Sequence, residues 1–82
     1  VFDRCSGVYD MPSCFRTDGE ARRAFVQAAS NGDTMVAQSP EDFTLFHVGF
    51  WNDGTGEIEA ILAPVKIVNA SEALVNGGGE DA

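Results

Sequence analysis

The sequence predicts an α+β fold, in which a small antiparallel sheet of three to four strands carries one main helix packed on one face. Three observations predict this fold. The chain has 82 residues, which is enough for one core and too few for two. One segment of helical periodicity follows a capping signal at Thr17. Two apolar segments with strand alternation flank a glycine-rich turn at residues 52–56.

The first residues predict a first strand with an irregular return. Residues 1–3 and 8–9 are apolar enough for strands, and residues 4–7 have the composition of a turn. Pro12 then breaks the extended pattern. We therefore expect this segment to add a first strand to the sheet.

The main helix is predicted to begin after Thr17 and to end at Gly32. Residues 17–20 have the spacing of a capping box. In that motif the Thr17 hydroxyl accepts from the Glu20 amide, and the Glu20 carboxylate accepts from the Thr17 amide. Gly32 is expected to end the helix in the left-handed conformation. The residues that recur at helical spacing and form the buried stripe are Ala21, Ala24, Phe25 and Ala28.

The strongest strand is predicted over Phe43–Trp51, directly after a single helical turn with Ser39 as cap and Pro40 at its first position. Its alternation gives two apolar faces. We expect the main helix to cover the face formed by Phe46, Val48, Phe50, Ile58 and Leu62.

A hairpin is predicted to continue from that strand. Residues 52–56 supply two glycines and an Asx group for a reversal, and residues 57–63 form the antiparallel partner. Pro64 is expected to interrupt this partner before a further apolar stretch at residues 65–68.

The sheet face opposite the helix is expected to bind a protein partner. It places large apolar side chains among the carboxylates of the neighbouring strand, and we expect no element of the chain to cover it. Self-association would cover the same face, so a homo-oligomer is left open. The candidate partner contacts are Phe43, Leu45 and Trp51, with Glu57 and Glu59 as their rim.

The end of the chain predicts a last short helix and a tail. Residues 69–72 have a capping pattern for a helix that ends at Asn76 and Gly77. Residues 1–76 are therefore predicted to form a single α+β domain, and residues 77–82 a flexible acidic tail.

The charge of the chain is strongly negative and uneven. Thirteen acidic residues against five basic ones give a formal net charge of -8. Residues 1–30 are neutral, with four arginines and four acids, so the whole excess lies in residues 31–82. This balance excludes a protein that coats duplex DNA through phosphate neutralisation.

Weak single-stranded DNA binding is compatible with the sequence. Such binders combine aromatic platforms with cations along the backbone, and the candidate platforms are Tyr9, Phe43 and Trp51. The candidate nucleic-acid contacts are Arg16, Arg22, Arg23 and Lys66.

No pattern in the sequence predicts catalysis, a cofactor or a metal site. His47 is a lone histidine in a strand, and such residues are more often structural than catalytic. Cys5 and Cys14 lack the second pair that a zinc site needs. They are expected to be free thiols, with a disulfide left open. The chain is therefore predicted not to be an enzyme.

Four segments together resemble a known family. They are residues 7–9 (GVY), 18–25 (DGEARRAF), 39–50 (SPEDFTLFHVGF) and 53–58 (DGTGEI). In order and spacing they resemble the small nonstructural protein of gokushovirus-type microviruses, which are phages with single-stranded DNA genomes. The resemblance covers most of residues 1–69. It implies a role in viral DNA replication or in genome synthesis coupled to packaging, and it supplies no catalytic residues.

Three functional hypotheses follow. The first is a non-catalytic phage accessory protein that acts in genome replication or packaging by docking on a viral replication or procapsid protein. The second is a protein that binds single-stranded DNA directly and weakly, and the third is an acidic host-directed inhibitor that mimics nucleic acid. No apolar run approaches the roughly 20 residues that span a bilayer, so we expect the protein in the host cytoplasm without a membrane partner.

Overall fold

The computed structural model describes residues 1–74. The predicted α+β class is confirmed, because four antiparallel strands form one sheet beside one main helix. A 3-10 turn over Pro40–Asp42 precedes the third strand, and residues 70–74 are helical. The strands and the other helices are β1 (Phe2–Asp3), β2 (Val8–Tyr9), α1 (Asp18–Ser30), α2 (Met35–Gln38), β3 (Phe43–Trp51) and β4 (Ile58–Asn69).

The sheet order is β2-β1-β3-β4, so β4 lies at one edge. The first two strands are only two residues long. β1 pairs with β3 through Phe2 opposite Thr44 and Asp3 opposite Phe43. Among residues 1–74, the rest of β3 is paired on one side alone, with β4.

The start of α1 follows the prediction with one change. The Glu20 amide donates to the Thr17 hydroxyl at 3.1 Å, as a capping box requires. The Glu20 carboxylate, however, accepts from the Arg16 amide at 3.2 Å and not from that of Thr17. The Thr17 hydroxyl thus satisfies one of the free amides of the first turn, and the Glu20 carboxylate ties the preceding residue to the same turn.

The end of α1 differs from the prediction that Gly32 would be left-handed. Asn31 caps the helix with extended backbone, and Gly32 does not have a positive φ. Thr34 contributes instead, because its hydroxyl donates to the Ala28 carbonyl at 2.6 Å and accepts from the Ala37 amide at 3.1 Å. One side chain therefore links the end of α1 to the start of α2, which the sequence did not predict.

The single turn predicted before the third strand is confirmed as the 3-10 turn at Pro40–Asp42. Ser39 precedes it but its side chain makes no capping hydrogen bond, so the predicted cap is wrong. The turn is held instead by the Asp42 amide, which donates to the Ser39 carbonyl at 3.0 Å. The strand that follows has the predicted bounds, Phe43–Trp51.

The prediction that the helix covers the face of Phe46, Val48 and Phe50 is wrong. The buried side chains of α1 pack against Leu45 and Val68, which lie directly opposite each other on β3 and β4. Phe46 follows Leu45 and therefore points to the other face. The buried core of the described chain is Ala21, Phe25, Val26, Ala29, Leu45, Val68, Ala70 and Ala73.

Pro64 does not interrupt the last strand, contrary to the prediction. β4 runs from Ile58 to Asn69, and its register with β3 shifts between Leu45 and Phe46 and again around Val48. His47 pairs with Val65 and Gly49 with Ala60, so residues 61–64 of β4 lie opposite one residue of β3. An edge strand with such an irregularity accommodates proline, because the missing N–H is not needed for the ladder.

The predicted cap of the C-terminal helix is confirmed. The Asn69 side chain accepts from the Ser71 amide at 3.0 Å, and the Glu72 carboxylate accepts from the Asn69 amide at 3.2 Å. The Asn69 amide group also donates to the Phe43 carbonyl at 3.1 Å, which ties this cap to β3. The predicted helix end, domain end and acidic tail at residues 76–82 lie outside the described residues.

Candidate functional site

The distal half of the β3–β4 hairpin, residues 48–65, forms an arm whose side chains are largely in solvent. No residue of this hairpin arm is buried. Within the described chain, six of the twelve exposed large hydrophobic residues lie on the arm, which concentrates them on one feature. These six are Val48, Phe50, Trp51, Ile58, Leu62 and Val65.

The arm is uncovered because its neighbours end before it begins. β1 reaches only Phe43 and Thr44, and the core contacts of α1 are at Leu45 and Val68. A helix of 13 residues is about 20 Å long, whereas the nine residues of β3 extend about 30 Å. The helix is therefore too short to cover the whole hairpin.

The tip of the arm is a well-bonded reversal, as the sequence predicted. The Asn52 side chain accepts from the amides of Gly54 at 2.9 Å and Thr55 at 3.2 Å, which is an Asx turn. The Asn52 amide donates to the Glu57 carbonyl at 2.8 Å, and Gly56 has a φ of +78°. These bonds fix the direction in which the adjacent tip side chains project.

A shallow, solvent-open depression lies next to this turn. It is lined by Phe50, Trp51, Asn52, Asp53 and Glu59. Glu59 lies directly opposite Phe50 in the strand register, so an aromatic ring and a carboxylate are neighbours there. This combination of apolar surface and negative charge suits contact with a protein surface of opposite charge.

The arm is acidic as well as apolar. Asp53, Glu57 and Glu59 lie on it, and residues 48–65 contain no lysine or arginine. All three carboxylates belong to exposed residues. Of the predicted rim, Glu59 pairs with Phe50 and lines the tip depression with Trp51. Trp51 pairs with Ile58, whose neighbours Glu57 and Glu59 point to the opposite face of the strand.

The other two predicted partner contacts are not on the arm. Leu45 is 9% exposed and belongs to the core under α1. Phe43 is half-buried, packs against the same core and lines a second depression with Cys5, Met35 and Asp42. The structure therefore does not bring Phe43 and Leu45 together with Trp51.

Three arm residues were not among the predicted contacts, because the sequence placed Phe50, Ile58 and Leu62 under the helix. Ile58 is 80% exposed and Leu62 is fully exposed. The signal that could have found them is the length of the predicted strand relative to the predicted helix.

His47 lies where the arm meets the helix-covered part of the sheet. Its Nδ1 atom is 3.7 Å from an Asp18 carboxylate oxygen, and its ring centroid is 4.8 Å from that of Phe50, edge to face. Residues three apart point to opposite faces of a regular strand. The contact with Phe50 therefore shows that the irregularity at Val48 shifts the predicted alternation in the arm.

The described residues offer little for catalysis or metal binding. Cys5 and Cys14 are both free and exposed. Within residues 1–74, no hydrogen bond joins either cysteine to His47. In that same range no group of three or more His, Cys, Asp and Glu side chains could hold a metal ion.

The candidate nucleic-acid contacts are divided between two places. Lys66 Nζ is 2.8 Å from a Glu72 carboxylate oxygen, and Arg22 lies near the same carboxylate. The hydrogen bond from Lys66, and then that from the Asn69 amide, lowers the pKa of Glu72. Arg16 and Arg23 are exposed, and no contact within residues 1–74 joins them to the Lys66 group.

An aromatic cluster lies on the sheet face opposite α1. The ring centroids of Phe2 and Tyr9 are 4.8 Å apart, and Phe46 completes the cluster at 6.2 and 5.7 Å. Tyr9 is about half exposed there, at 48%. Of the three predicted aromatic platforms, Tyr9 alone belongs to this cluster.

The fold and the site define a small α+β protein with a helix-covered base and an uncovered arm that is both acidic and apolar. The chain belongs to the Phage ORF5 protein family, whose family model matches residues 1–73. It is therefore a phage protein. No curated protein and no solved structure matches the chain. Within the described residues, no helix is long and apolar enough to cross a membrane.

Proposed function

We propose that this phage protein is a non-catalytic accessory factor of a gokushovirus-type microvirus. It acts in the host cytoplasm, in replication or packaging of the single-stranded DNA genome. It does so by docking the hairpin arm on a viral replication or procapsid protein. Membership in the phage family and the resemblance of residues 39–58 support the viral setting. The observation that carries the docking role is the uncovered apolar arm.

A docking role explains why the arm exposes apolar side chains to water, which is unfavourable in an isolated chain. Contiguous exposed apolar side chains mark interaction sites more often than ordinary surface. Phe50 and Trp51 are each more than half exposed and directly precede the hydrogen-bonded turn at the tip. Aromatic side chains held in this way lose little conformational freedom on binding, so they are favourable anchors.

The charge of the arm indicates the kind of partner surface. The three carboxylates around the tip require a basic or hydrogen-bond-donating rim on the partner. Charges at such a rim act mainly on the association rate, while the aromatic anchors determine the dissociation rate. We therefore expect Glu57→Gln with Glu59→Gln to slow association and to weaken its dependence on salt.

The test is binding of the full chain to the purified phage initiator and procapsid proteins, measured by biolayer interferometry. The variant is Phe50→Ala with Trp51→Ala, and the control is Phe15→Ala with Met11→Ala, which truncates exposed residues away from the arm. We expect the arm variant to lose affinity at least about 10-fold for one partner. The control should bind like the parent.

Circular dichroism and urea unfolding establish that both variants are folded. Equal binding by parent and arm variant to every phage protein tested would remove the arm as the docking surface. If no phage protein binds the parent chain at all, the docking role itself is wrong.

Direct, weak binding of single-stranded DNA is a second candidate, favoured by the aromatic cluster. Tyr9 is partly exposed in that cluster, and Lys66 lies opposite Phe46 in the strand register. Base stacking on Tyr9 with a nearby cation is the arrangement such binding uses. It ranks second because Lys66 is already paired with Glu72 and the net charge is -8.

Fluorescence anisotropy with a labelled oligonucleotide separates the two candidates. Phosphate contacts require affinity to fall steeply as salt rises, and Tyr9→Ala should weaken the binding further. Absence of binding at about 20 to 50 mM salt, where phosphate contacts are strongest, would retire this candidate.

A further inference from the structure

The depression at the tip of the arm combines an aromatic ring with negative charge. It is open to solvent and has a volume of about 420 Å³. Phe50 and Glu59 both line it, and they lie directly opposite each other in the register, so their side chains share one face of the hairpin. Phe50 contacts His47 edge to face and is still 59% exposed. An aromatic surface is therefore available beside a carboxylate.

The carboxylates of the tip are not paired with a cation of the described chain. In residues 1–74, no hydrogen bond or ion pair reaches the side-chain oxygens of Asp53, Glu57 or Glu59. Glu57 precedes Glu59 by two residues, so strand alternation places it on the same face as Glu59. Elsewhere the chain pairs a carboxylate internally, as Glu72 with Lys66 at 2.8 Å. The tip therefore has the charge to bind a cation from outside.

A guanidinium group suits this combination of ring and carboxylate. It is planar and weakly hydrated, so it can stack on an aromatic face while its N–H groups bind a carboxylate. An ammonium group is a strongly hydrated point charge and gains less from the ring. A metal ion needs several ligands, and within the described chain no group of three or more His, Cys, Asp and Glu side chains could hold one.

We propose that the tip depression binds an arginine side chain of the protein partner, with its guanidinium group stacked on Phe50 and paired with Glu59. Asp53 and Glu57 add negative potential around it. The arginine belongs to a protein, because the exposed Trp51 beside it also needs an apolar surface and because the carboxylates repel the phosphates of a nucleic acid. This inference rests on the proposed docking function and names the chemistry of the partner surface.

The test uses the full chain and two short peptides of equal charge. One is acetyl-Gly-Arg-Gly-Arg-Gly-amide, and the other has lysine in place of both arginines. ¹H–¹⁵N NMR spectra at physiological ionic strength follow the binding. We expect saturable shifts at residues 50–59, including the indole N–H of Trp51. The arginine peptide should bind about 2- to 5-fold more tightly than the lysine peptide, because the guanidinium gains more from the ring.

Phe50→Leu tests the contribution of the ring, because it removes the aromatic face and keeps an apolar side chain. It should abolish the preference for arginine and leave binding of the lysine peptide close to that of the parent. A merely structural role of Phe50 would weaken both peptides equally, and that result would contradict stacking.

Glu59→Gln tests the carboxylate and should weaken both peptides about 2- to 5-fold. Glu41→Gln is the matched control, because Glu41 is exposed, lies outside the arm and undergoes the same change of charge. It should bind like the parent. Equal weakening by the two substitutions would show a general charge effect and overturn the proposal. Circular dichroism confirms that each variant is folded.

Equal affinity of the parent for the two peptides would overturn the assignment to arginine, as would the absence of any shift. Shifts spread evenly over the exposed carboxylates of the chain would overturn the assignment to the tip. Shifts at residues 50–59 that grow with protein concentration without peptide would show that a second copy occupies the depression, and the assignment to a partner protein would be wrong.

The peptide measurements involve no phage protein, so this inference and the docking function can fail separately. If Phe50→Ala with Trp51→Ala loses binding to a phage protein while the parent shows no preference for the arginine peptide, docking stands and the arginine site is wrong. If the parent prefers the arginine peptide but binds no phage protein, the arginine site stands and docking on a viral protein is wrong.

Discussion

The hairpin of β3 and β4 has two parts, the arm at residues 48–65 and the base at residues 43–47 and 66–69. The two parts have opposite surroundings. At the base, Leu45 and Val68 are paired across β3 and β4 and lie under α1. In the arm, Trp51 and Ile58 are paired in the same way and lie in solvent. Large apolar side chains occur in both places. The difference teaches that apolar strand residues alone do not decide which part of this hairpin becomes core, because only the part that α1 reaches is buried.

The core that α1 forms with the base contains few large side chains. Four of its eight buried residues are alanines, and Phe25 is the largest of the eight. A core of this size leaves a marginal free energy of unfolding. Substitutions in the base should therefore act on stability, whereas substitutions of exposed arm side chains should act on binding.

The largest effect is expected for Phe25→Ala in the core that α1 forms with the base. Phe25 is 4% exposed, and truncating a buried phenylalanine costs about 3 to 5 kcal/mol. That is a large share of the roughly 5 to 15 kcal/mol by which domains are stable. Urea unfolding followed by circular dichroism measures the loss. Phe50→Ala, at 59% exposure, should change the free energy of unfolding by no more than about 0.5 kcal/mol, and equal losses would contradict the division into base and arm.

A smaller effect is expected for Gly49→Ala, at the junction of base and arm. A Cβ atom there would collide with the Glu59 carbonyl oxygen, which belongs to the backbone of β4 and cannot move aside alone. We expect a cost of about 1 to 3 kcal/mol. Hydrogen exchange should accelerate in the arm more than in α1.

Gly32→Ala is the control for that substitution. Gly32 has open space around it and no positive φ, so alanine should be tolerated there. If Gly49→Ala were as harmless as Gly32→Ala, the close approach of the two strands would not be needed to hold the arm.

The next effect concerns the helix that covers the base. Thr17→Ala removes the acceptor of the Glu20 amide and should cost about 1 kcal/mol, with Thr17→Ser close to neutral. Ser39→Ala should cost little by comparison, because the Ser39 side chain makes no capping bond. Thermal unfolding of the three variants checks this order, and a larger loss for Ser39→Ala would reverse the assignment of the caps.

The smallest expected effect is on how the free energy of unfolding depends on pH, through the ion pair of Lys66 and Glu72. The pKa of Glu72 lies below its ordinary value of 4.5, chiefly because Lys66 donates to it. A carboxyl group with a lowered folded-state pKa stabilises the fold above its unfolded pKa, and that contribution is lost as the pH falls through the folded value. Glu72→Gln should therefore lose less stability than the parent on acidification below about pH 4.5. Unfolding curves at several pH values measure this, and identical slopes would show that the pair contributes nothing.

Several elements could be predicted because their signals are local. The capping residues Thr17 and Glu20 fix the start of α1, and the Asx turn at Asn52 fixes the hairpin reversal. The bounds of β3 follow from its apolar run. Each of these depends on residues close together in sequence, so a single chain contains enough information.

The face covered by the helix could not be predicted in the same way. Both faces of β3 carry large apolar side chains, so alternation alone does not distinguish Leu45 from Phe46 as the core residue. The choice appears only in the packing of α1 on Leu45 and Val68, which are distant from it in sequence. The irregularity at Val48 then changes the alternation again. Among the predicted contacts, Trp51, Glu57 and Glu59 lie on the exposed arm, whereas the sequence had assigned the exposed Phe50, Ile58 and Leu62 to the helix-covered face.

The most direct test of the division between base and arm uses the single tryptophan of the chain, Trp51 at the tip. Incorporation of 5-fluorotryptophan gives one ¹⁹F resonance whose solvent exposure is measured with and without the phage partner protein. The account predicts an exposed ring in the free chain, at low concentration, and a shifted, solvent-protected resonance in the complex. A ring that is protected already in the free monomer, or that stays exposed in a saturated complex, would contradict it.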